Sequence, residues 1–190
     1  MPIEAELKAR VRDVPALLAA LDRRAEREMV VCHDRYFDSP DGTFASAGHE
    51  LRIRTVETDA GVRNLLTFRK SGADAASGSR PEYETTVGDA DVAESIVLGL
   101  GYRPMVALWK QCSNYRWRQG GRDLLATVVT VPEIEGTFVE LETVAEADGD
   151  LSAALDAARA TLVELGIADH DLTTELYTDA VAAAMRASAA

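Results

Sequence analysis

The sequence has few cysteines, few aromatic residues and no long apolar run. Its two cysteines, Cys32 and Cys112, stand far apart without CxxC spacing. That argues against a structural zinc site and against a disulfide scaffold. No stretch approaches the roughly 18 consecutive apolar residues of a membrane-spanning helix. The opening Met-Pro-Ile-Glu-Ala-Glu offers neither a basic n-region nor an apolar h-region. No secretory leader is therefore expected, and a cytoplasmic setting with reduced thiols is the default. A GxxxxGK[ST] loop is absent, so any phosphate binding has to rely on side chains. A cationic excess is lacking too: 20 lysines and arginines face 32 aspartates and glutamates, a net charge of −12. Such a field repels nucleic acid over most of the surface. Anions can be held only where the basic residues gather.

What the sequence does contain is alternation. At 190 residues, 47% hydrophobic and 27% charged, it suits one domain spanning 1–190 with a real core. No internal repeat or linker divides it, and Ser71–Ser79 reads as a loop of small residues. Period-two patterning predicts strands at 2–9, 49–55 and 80–87, with further strands near 28–37, 62–70, 105–118, 122–131 and 136–145. Helical spacing marks 13–25, 89–100, 150–165 and 172–187. Asp13 caps the first of these, Pro15 sits in its first turn, and Gly101 stops the second. About eight strands with a few helices make an α+β chain. Closing the sheet would remove its exposed edges, so the expected fold is a closed eight-stranded antiparallel β-barrel, a tunnel with a polar lumen and helices packed outside.

The polar strand faces carry the functional signal. Glu4, Glu6 and Lys8 point one way, while Ile3, Ala5 and Leu7 point the other. Arg52 and Arg54 share a face, as do Arg80, Glu82 and Glu84. So do Lys110, Asn114, Arg116 and Arg118, and Glu140 and Glu142 follow in a later strand. A single strand of this kind would read as a solvated face. Recurrence of both signs on many strands points instead to the lining of a lumen. Arginine and lysine neutralise phosphate oxygens, and paired carboxylates suit Mg²⁺ or Mn²⁺.

Other residues weigh less. His33, His49 and His170 share no ligand spacing and read as surface or hydrogen-bonded residues. Cys112 reads as a small lumen filler, with a reactive thiol beside lysine as the alternative. Trp109 and Trp117 share strand parity and are expected under a helix. Leu172, Leu176, Val181 and Met185 form an amphipathic stripe that packs on the barrel or, failing that, in a dimer interface.

The motifs in order resemble those of the CYTH superfamily, the triphosphate tunnel metalloenzymes. Glu4-x-Glu6-x-Lys8 is similar to its ExExK signature, and Asp34-Arg35-Tyr36-Phe37-Asp38 to its DxYFD strand end. Leu51-Arg52-Ile53-Arg54, Leu66-Thr67-Phe68, Arg80-x-Glu82-x-Glu84 and Gly136-Thr137-Phe138-Val139-Glu140-Leu141-Glu142 resemble later strands. Gly99-Leu100-Gly101-Tyr102-Arg103-Pro104 followed by Lys110 looks like the cyclase-like branch. The resemblance implies that Glu4, Glu6, Glu140 and Glu142 face an Mg²⁺ or Mn²⁺ ion. It implies that Lys8, Arg52, Arg54, Arg69, Arg80 and Lys110 hold phosphates, with Lys8 and Arg54 the catalytic pair, and that Glu82, Glu84 and Cys112 complete the lumen.

Three positions depart from the family pattern. Arg69 followed by Lys70 stands where the family has lysine. Cys112 replaces an arginine, and Val129 or Thr130 falls where an aspartate is usual. The implied activity is a phosphohydrolase acting on a nucleoside triphosphate, thiamine triphosphate or tripolyphosphate, by a monomer or homodimer without nucleic-acid or membrane partners. The alternatives are a class IV adenylate cyclase and a non-catalytic polyphosphate or nucleotide binder.

Overall fold

The computed structural model describes residues 3–71, 77, 79–145 and 150–188. The chain runs β1 (Ile3–Val11), α1 (Val14–Asp22), β2 (Arg27–Asp38), α2 (Thr43–Ser46), β3 (Glu50–Thr58), β4 (Gly61–Arg69), β5 (Glu82–Val87) and α3 (Ala90–Gly99). It continues through β6 (Arg103–Gln119), β7 (Arg122–Thr130), β8 (Thr137–Ala145), α4 (Leu151–Glu164), a 3-10 turn at Asp169–Asp171, and α5 (Tyr177–Ser188). All eight strands read from alternation are present. Residue 2 lies outside the described residues, and the Ser71–Ser79 loop is described only at Ser71, Ser77 and Ser79. No described helix is long and apolar enough to cross a membrane.

The strands form one antiparallel sheet in the order β1-β8-β7-β6-β2-β3-β4-β5. Contrary to the closed barrel expected above, this sheet is curled but open. Its edge strands β1 and β5 meet only near one end, through an isolated bridge between Glu4 and Arg80 and a hydrogen bond from the Glu6 amide to Ser79 Oγ at 3.1 Å. The reason is local. β5 has six residues, and Pro81 just before it has no N–H to offer a ladder. Side chains, not backbone, span the remaining gap.

α1, α3 and α4 cover the convex side of the sheet, and α5 packs Tyr177 and Val181 against inward residues of the concave side. The Asp13 carboxylate caps α1, accepting from the Ala16 amide at 3.0 Å, which satisfies an otherwise unpaired donor of the first turn. α1 and α4 bury Leu17, Leu21, Ala158 and Leu162 against the outward residues Leu7, Ala9, Tyr115, Ala126, Val139 and Leu141. α3 covers Phe37 and Ile53 with Ala93 and Val97. It ends at Leu100, followed by Gly101 in a left-handed conformation (φ +98°). β6 turns into β7 through Gly120 and Gly121, both with positive φ (59° and 81°), as a two-residue hairpin with two left-handed positions requires.

Two expectations about packing fail. Trp117 does pack against the core beneath the helices, but Trp109 does not. It is 45% exposed and stacks on His33, ring centroids 4.2 Å apart, because no helix covers that part of β2 and β6. The last helix begins at Tyr177. Residues 172–176 form an extended strap instead, bridged to β1 at Ala9–Leu172 and by the Thr173 amide to the Lys8 carbonyl at 2.9 Å. Of the supposed stripe only Val181 is buried, and Leu176 and Met185 are exposed.

Candidate functional site

The concave face of the sheet is where the charges converge. Strand parity brings Glu4, Glu6 and Lys8 of β1, Arg52 and Arg54 of β3, Arg69 of β4, Glu82 of β5, Lys110 of β6 and Glu140 and Glu142 of β8 around two adjoining cavities. Arg80 lines the first of these, of about 310 Å³, together with Tyr36, Glu50 and Tyr177. Glu84 lies at the exposed rim, where Thr67 donates to it at 3.0 Å. Cys112 lies on the inner wall and is buried.

The lumen is unevenly polar. β7 turns Leu125, Thr127 and Val129 inward, as their pairing opposite Arg116, Asn114 and Cys112 shows. Val30, Cys32, Leu108, Cys112, Val129 and Phe138 belong to one buried apolar cluster. That cluster makes an oily stretch of wall centred on β2, β6 and β7, interrupted by Asp34 and Lys110, and most of the charge comes from β1, β3, β4 and β8. At the family's aspartate position, Val129 is wholly buried in that cluster, so a carboxylate there would be desolvated without a partner.

The cations are not equally available. Arg54 is committed to Asp34, a fully buried carboxylate, through Nε and Nη2, each at 2.6 Å. Lys110 Nζ lies 3.7 Å from the same carboxylate. Burial alone would raise the Asp34 carboxyl. The charge and hydrogen bonds of Arg54, with Lys110 and Arg52, outweigh it and hold the group well below the usual carboxylate range. Arg69 is gripped by Glu82, by Glu4 at 3.0 Å, and more loosely by Glu6 at 3.9 Å. Arg52 is the least satisfied. It is 3% exposed, and among the described residues its nearest carboxylate is Glu50 at 3.7 Å and its buried Nε has no hydrogen-bond partner. Arg80 reaches the same Glu50 only at 3.8 Å.

The carboxylates also divide. Burial, then the neighbouring Glu140, raises the Glu6 carboxyl to about 7. Glu142, directly across the ladder from Glu6, is pushed well above its ordinary value by burial and by Glu4, Glu6 and Glu140. Glu4 is raised in the same direction, by burial first. Glu140 is held below its ordinary value: burial would raise it, but Lys110 and Lys8 prevail. Crowded, poorly compensated carboxyls suit a hard cation, which would displace their shared protons. Glu4, Glu6 and Glu142 fit that description, and Glu140 serves the lysines. Among the described residues, no three such ligands have already converged. Arg69 stands among them instead.

Several residues at this site went unrecognised in the sequence. Asp34 and Tyr36 share the inward parity of β2 with Val30 and Cys32. A single acidic residue among apolar inward positions was the available signal. Glu50 stands opposite Arg69 at the start of β3. Tyr177 comes from outside the sheet. Its ring lies 4.4 Å from Lys8 Nζ and 4.5 Å from Lys110 Nζ, a cation–π pair that roofs the cavity. Lys8 also donates to the Glu175 carbonyl of the strap. No periodicity announced that contact.

Comparison with known proteins agrees with this geometry. Residues 2–177 match the family described as the CYTH domain. A curated relative, adenylate cyclase CyaB of Aeromonas hydrophila, is 35% identical over 115 residues, 59% of this chain and just over half (56%) of that protein. Among solved structures, the PH1819 protein of Pyrococcus horikoshii OT3 superposes with a TM-score of 0.79 at 23% identity, covering 92% of this chain and 95% of that one. HpAC1 from Hippeastrum, an adenylyl cyclase candidate described as having a dominant triphosphatase activity, superposes at 0.68 with 19% identity over 96% of each chain. With the family pattern spanning residues 2–177 and its charged strands lining one concave face, this chain belongs to the CYTH domain family.

Proposed function

We propose that the chain is a metal-dependent enzyme that hydrolyses a nucleoside or organic triphosphate bound on the concave face of the curled sheet. The observation that carries this reading is Arg52. A guanidinium this deeply buried, with an unpartnered Nε and no close carboxylate, is costly unless an anion completes its hydrogen bonding. It faces a cavity shared with Lys8, Arg54, Arg69, Arg80 and Lys110, so a single chain of phosphates would meet cations from four strands and the segment before β5. Arg52 and Arg80 grip the phosphates, since their own carboxylate contacts are loose. Arg54 is aimed by Asp34, which leaves Nη1 as its donor to a ligand. Lys8, whose ammonium is lowered by burial against the pull of Glu140 and Glu6, is the cation nearest the roof of the cavity. The organic part of the substrate would lie along Val30, Cys32 and Cys112.

Glu4, Glu6 and Glu142, with Glu140 beside them, would hold Mg²⁺ or Mn²⁺. When bound, that ion would offset the charge developing on the phosphate oxygens.

A second reading, an adenylate cyclase making cyclic AMP from ATP, is supported by the name of the Aeromonas relative and by the Gly99–Pro104 block ahead of Lys110. The two reactions use the same cage. They differ in whether water or a ribose hydroxyl is positioned at phosphorus.

The test is product analysis with ATP, thiamine triphosphate and tripolyphosphate, with and without Mn²⁺. Phosphate release that needs Mn²⁺ and is lost in Arg52→Ala supports the first reading, and cyclic AMP from ATP supports the second. Absence of turnover with retained binding would reduce the chain to a binding module.

A further inference from the structure

The tunnel wall holds a second reactive element that the phosphate chemistry does not use. The chain has two cysteines, 80 positions apart, yet the fold places them side by side. In the β2–β6 ladder Cys32 pairs with Lys110, and Cys112 with Val30. The two are therefore diagonal neighbours on the same inward face, within reach of each other across one register step. Both are free and buried, 6% and 5% exposed, in the same apolar cluster. Both line one cavity of about 190 Å³, ample room for a small solute such as hydrogen peroxide. Arg54 and Lys110 line it as well.

We propose that Cys32 and Cys112 are a modification site, a dithiol in the tunnel wall that a peroxide converts to an intramolecular disulfide. The inference stands whether or not the cage takes a triphosphate.

The two sulfurs have different roles. The Cys32 thiol is lowered to about 7, first by its hydrogen bond with Cys112 and then, against burial, by Arg54. Cys112 is pushed far up by the same pairing and by burial, so it keeps its proton. Thiolate, not thiol, attacks. Cys32 sulfur attacks one oxygen of hydrogen peroxide, the O–O bond breaks, and the departing hydroxide takes up a proton to leave as water. Cys32 is then a sulfenic acid. Oxidation removes the Cys32 hydrogen bond and charge that held the Cys112 proton in place, so Cys112 gives up that proton to the departing hydroxide as its sulfur attacks the sulfenic sulfur; the S–O bond breaks and a second water leaves. Two thiols are oxidised to one disulfide as one peroxide is reduced to two waters. No described set of three ligands surrounds the pair, which argues against a soft-metal site in the same place.

The experiment treats the intact reduced protein with stoichiometric hydrogen peroxide across pH 5.5–8.5, a range centred on the Cys32 value of about 7, and follows it by intact mass and non-reducing peptide mapping. The expected result is a monomer lighter by two hydrogens, a single Cys32–Cys112 cross-linked peptide, and restoration by dithiothreitol. Its rate should rise as pH passes through about 7. Cys112→Ser should stop at a sulfenic acid on Cys32 that dimedone traps, and Cys32→Ser should leave Cys112 unmodified. An unchanged mass in wild type, cross-links only between chains, or oxidation confined to Cys112 would each overturn the proposal. Because the decisive measurement is on wild type, a variant that folds poorly leaves the test intact.

Discussion

Replacing Asp34 by asparagine removes the negative charge on which two lumen cations depend. The carboxylate is fully buried, receives two hydrogen bonds of 2.6 Å from Arg54 and lies 3.7 Å from Lys110. Breaking a buried pair by deleting one partner costs about 3–5 kcal/mol, because the other charge stays desolvated and uncompensated. In a domain of this size each kcal/mol lowers Tm by roughly 2–4 °C, so a loss of about 6–20 °C is expected in thermal denaturation.

The pH dependence gives the same reasoning a second readout. A carboxyl held below its unfolded value contributes stability that is complete above about pH 4 and is lost as pH falls further. The wild type should therefore lose stability on acidification below pH 4 more steeply than Asp34→Asn. Tripolyphosphate can replace part of the missing charge, so its stabilising effect should be larger in the variant than in wild type. A Tm within about 2 °C of wild type, less than the effect of 1 kcal/mol, with an unchanged acid limb, would refute the idea that Asp34 compensates Arg54 and Lys110.

Other variants probe the remaining parts of the cage. In calorimetric titration, Glu6→Gln should weaken Mn²⁺ binding sharply. Without metal it should stabilise the protein above pH 7, because a carboxyl raised to about 7 opposes folding once it must ionise; Tm measured at pH 5 and pH 8 checks the sign. Tripolyphosphate at about 100 times its Kd should stabilise the wild type by roughly 2.7 kcal/mol. Arg52→Ala should lose most of that thermal shift, and Arg10→Ala, whose guanidinium is half-exposed and paired with Glu175, should lose little. Tyr177→Phe should cost about 0.5–1.5 kcal/mol in chemical denaturation, since it removes the buried hydroxyl that donates toward the Glu140 carboxylate. Tyr177→Ala, which removes a ring packed on Phe138, Lys8 and Lys110, should cost about 3–5 kcal/mol.

The strands and the inward charges were legible because both follow from a period of two. Once Glu6 was inward, Glu4 and Lys8 had to be, and Glu140 and Glu142 followed as their neighbours across the ladder. Closure was not legible. It turns on whether β5 finds backbone partners on β1, which Pro81 and the shortness of β5 decide against. Nor was the allocation of cations. Alternation says that Arg52 and Arg54 share a face. It does not say that Asp34 on the next strand takes one of them and leaves the other nearly bare. The oily wall went unread because β7 is apolar on both faces, so its inward residues carry no contrast. The cysteines looked remote because 80 positions of sequence say nothing about one step of register.

The pairing of β1 has a consequence for how the molecule comes into being. β1 precedes the other seven strands in sequence, and its ladder partner is the last of them, β8, with Glu6 opposite Glu142. The β3–β4 and β6–β7 hairpins join neighbours in sequence and can form early, since short loops close at little entropic cost. On a ribosome, Glu4, Glu6 and Lys8 emerge ahead of the other strands and wait for β8, about 130 residues later, to complete their ladder. The strap that fixes Lys8 and the ring that roofs the cavity arrive later still, at Thr173, Glu175 and Tyr177. Within this sheet the charged chamber is thus assembled after the hairpins, and a chain cut short before β8 could hold most of those hairpins and have no chamber.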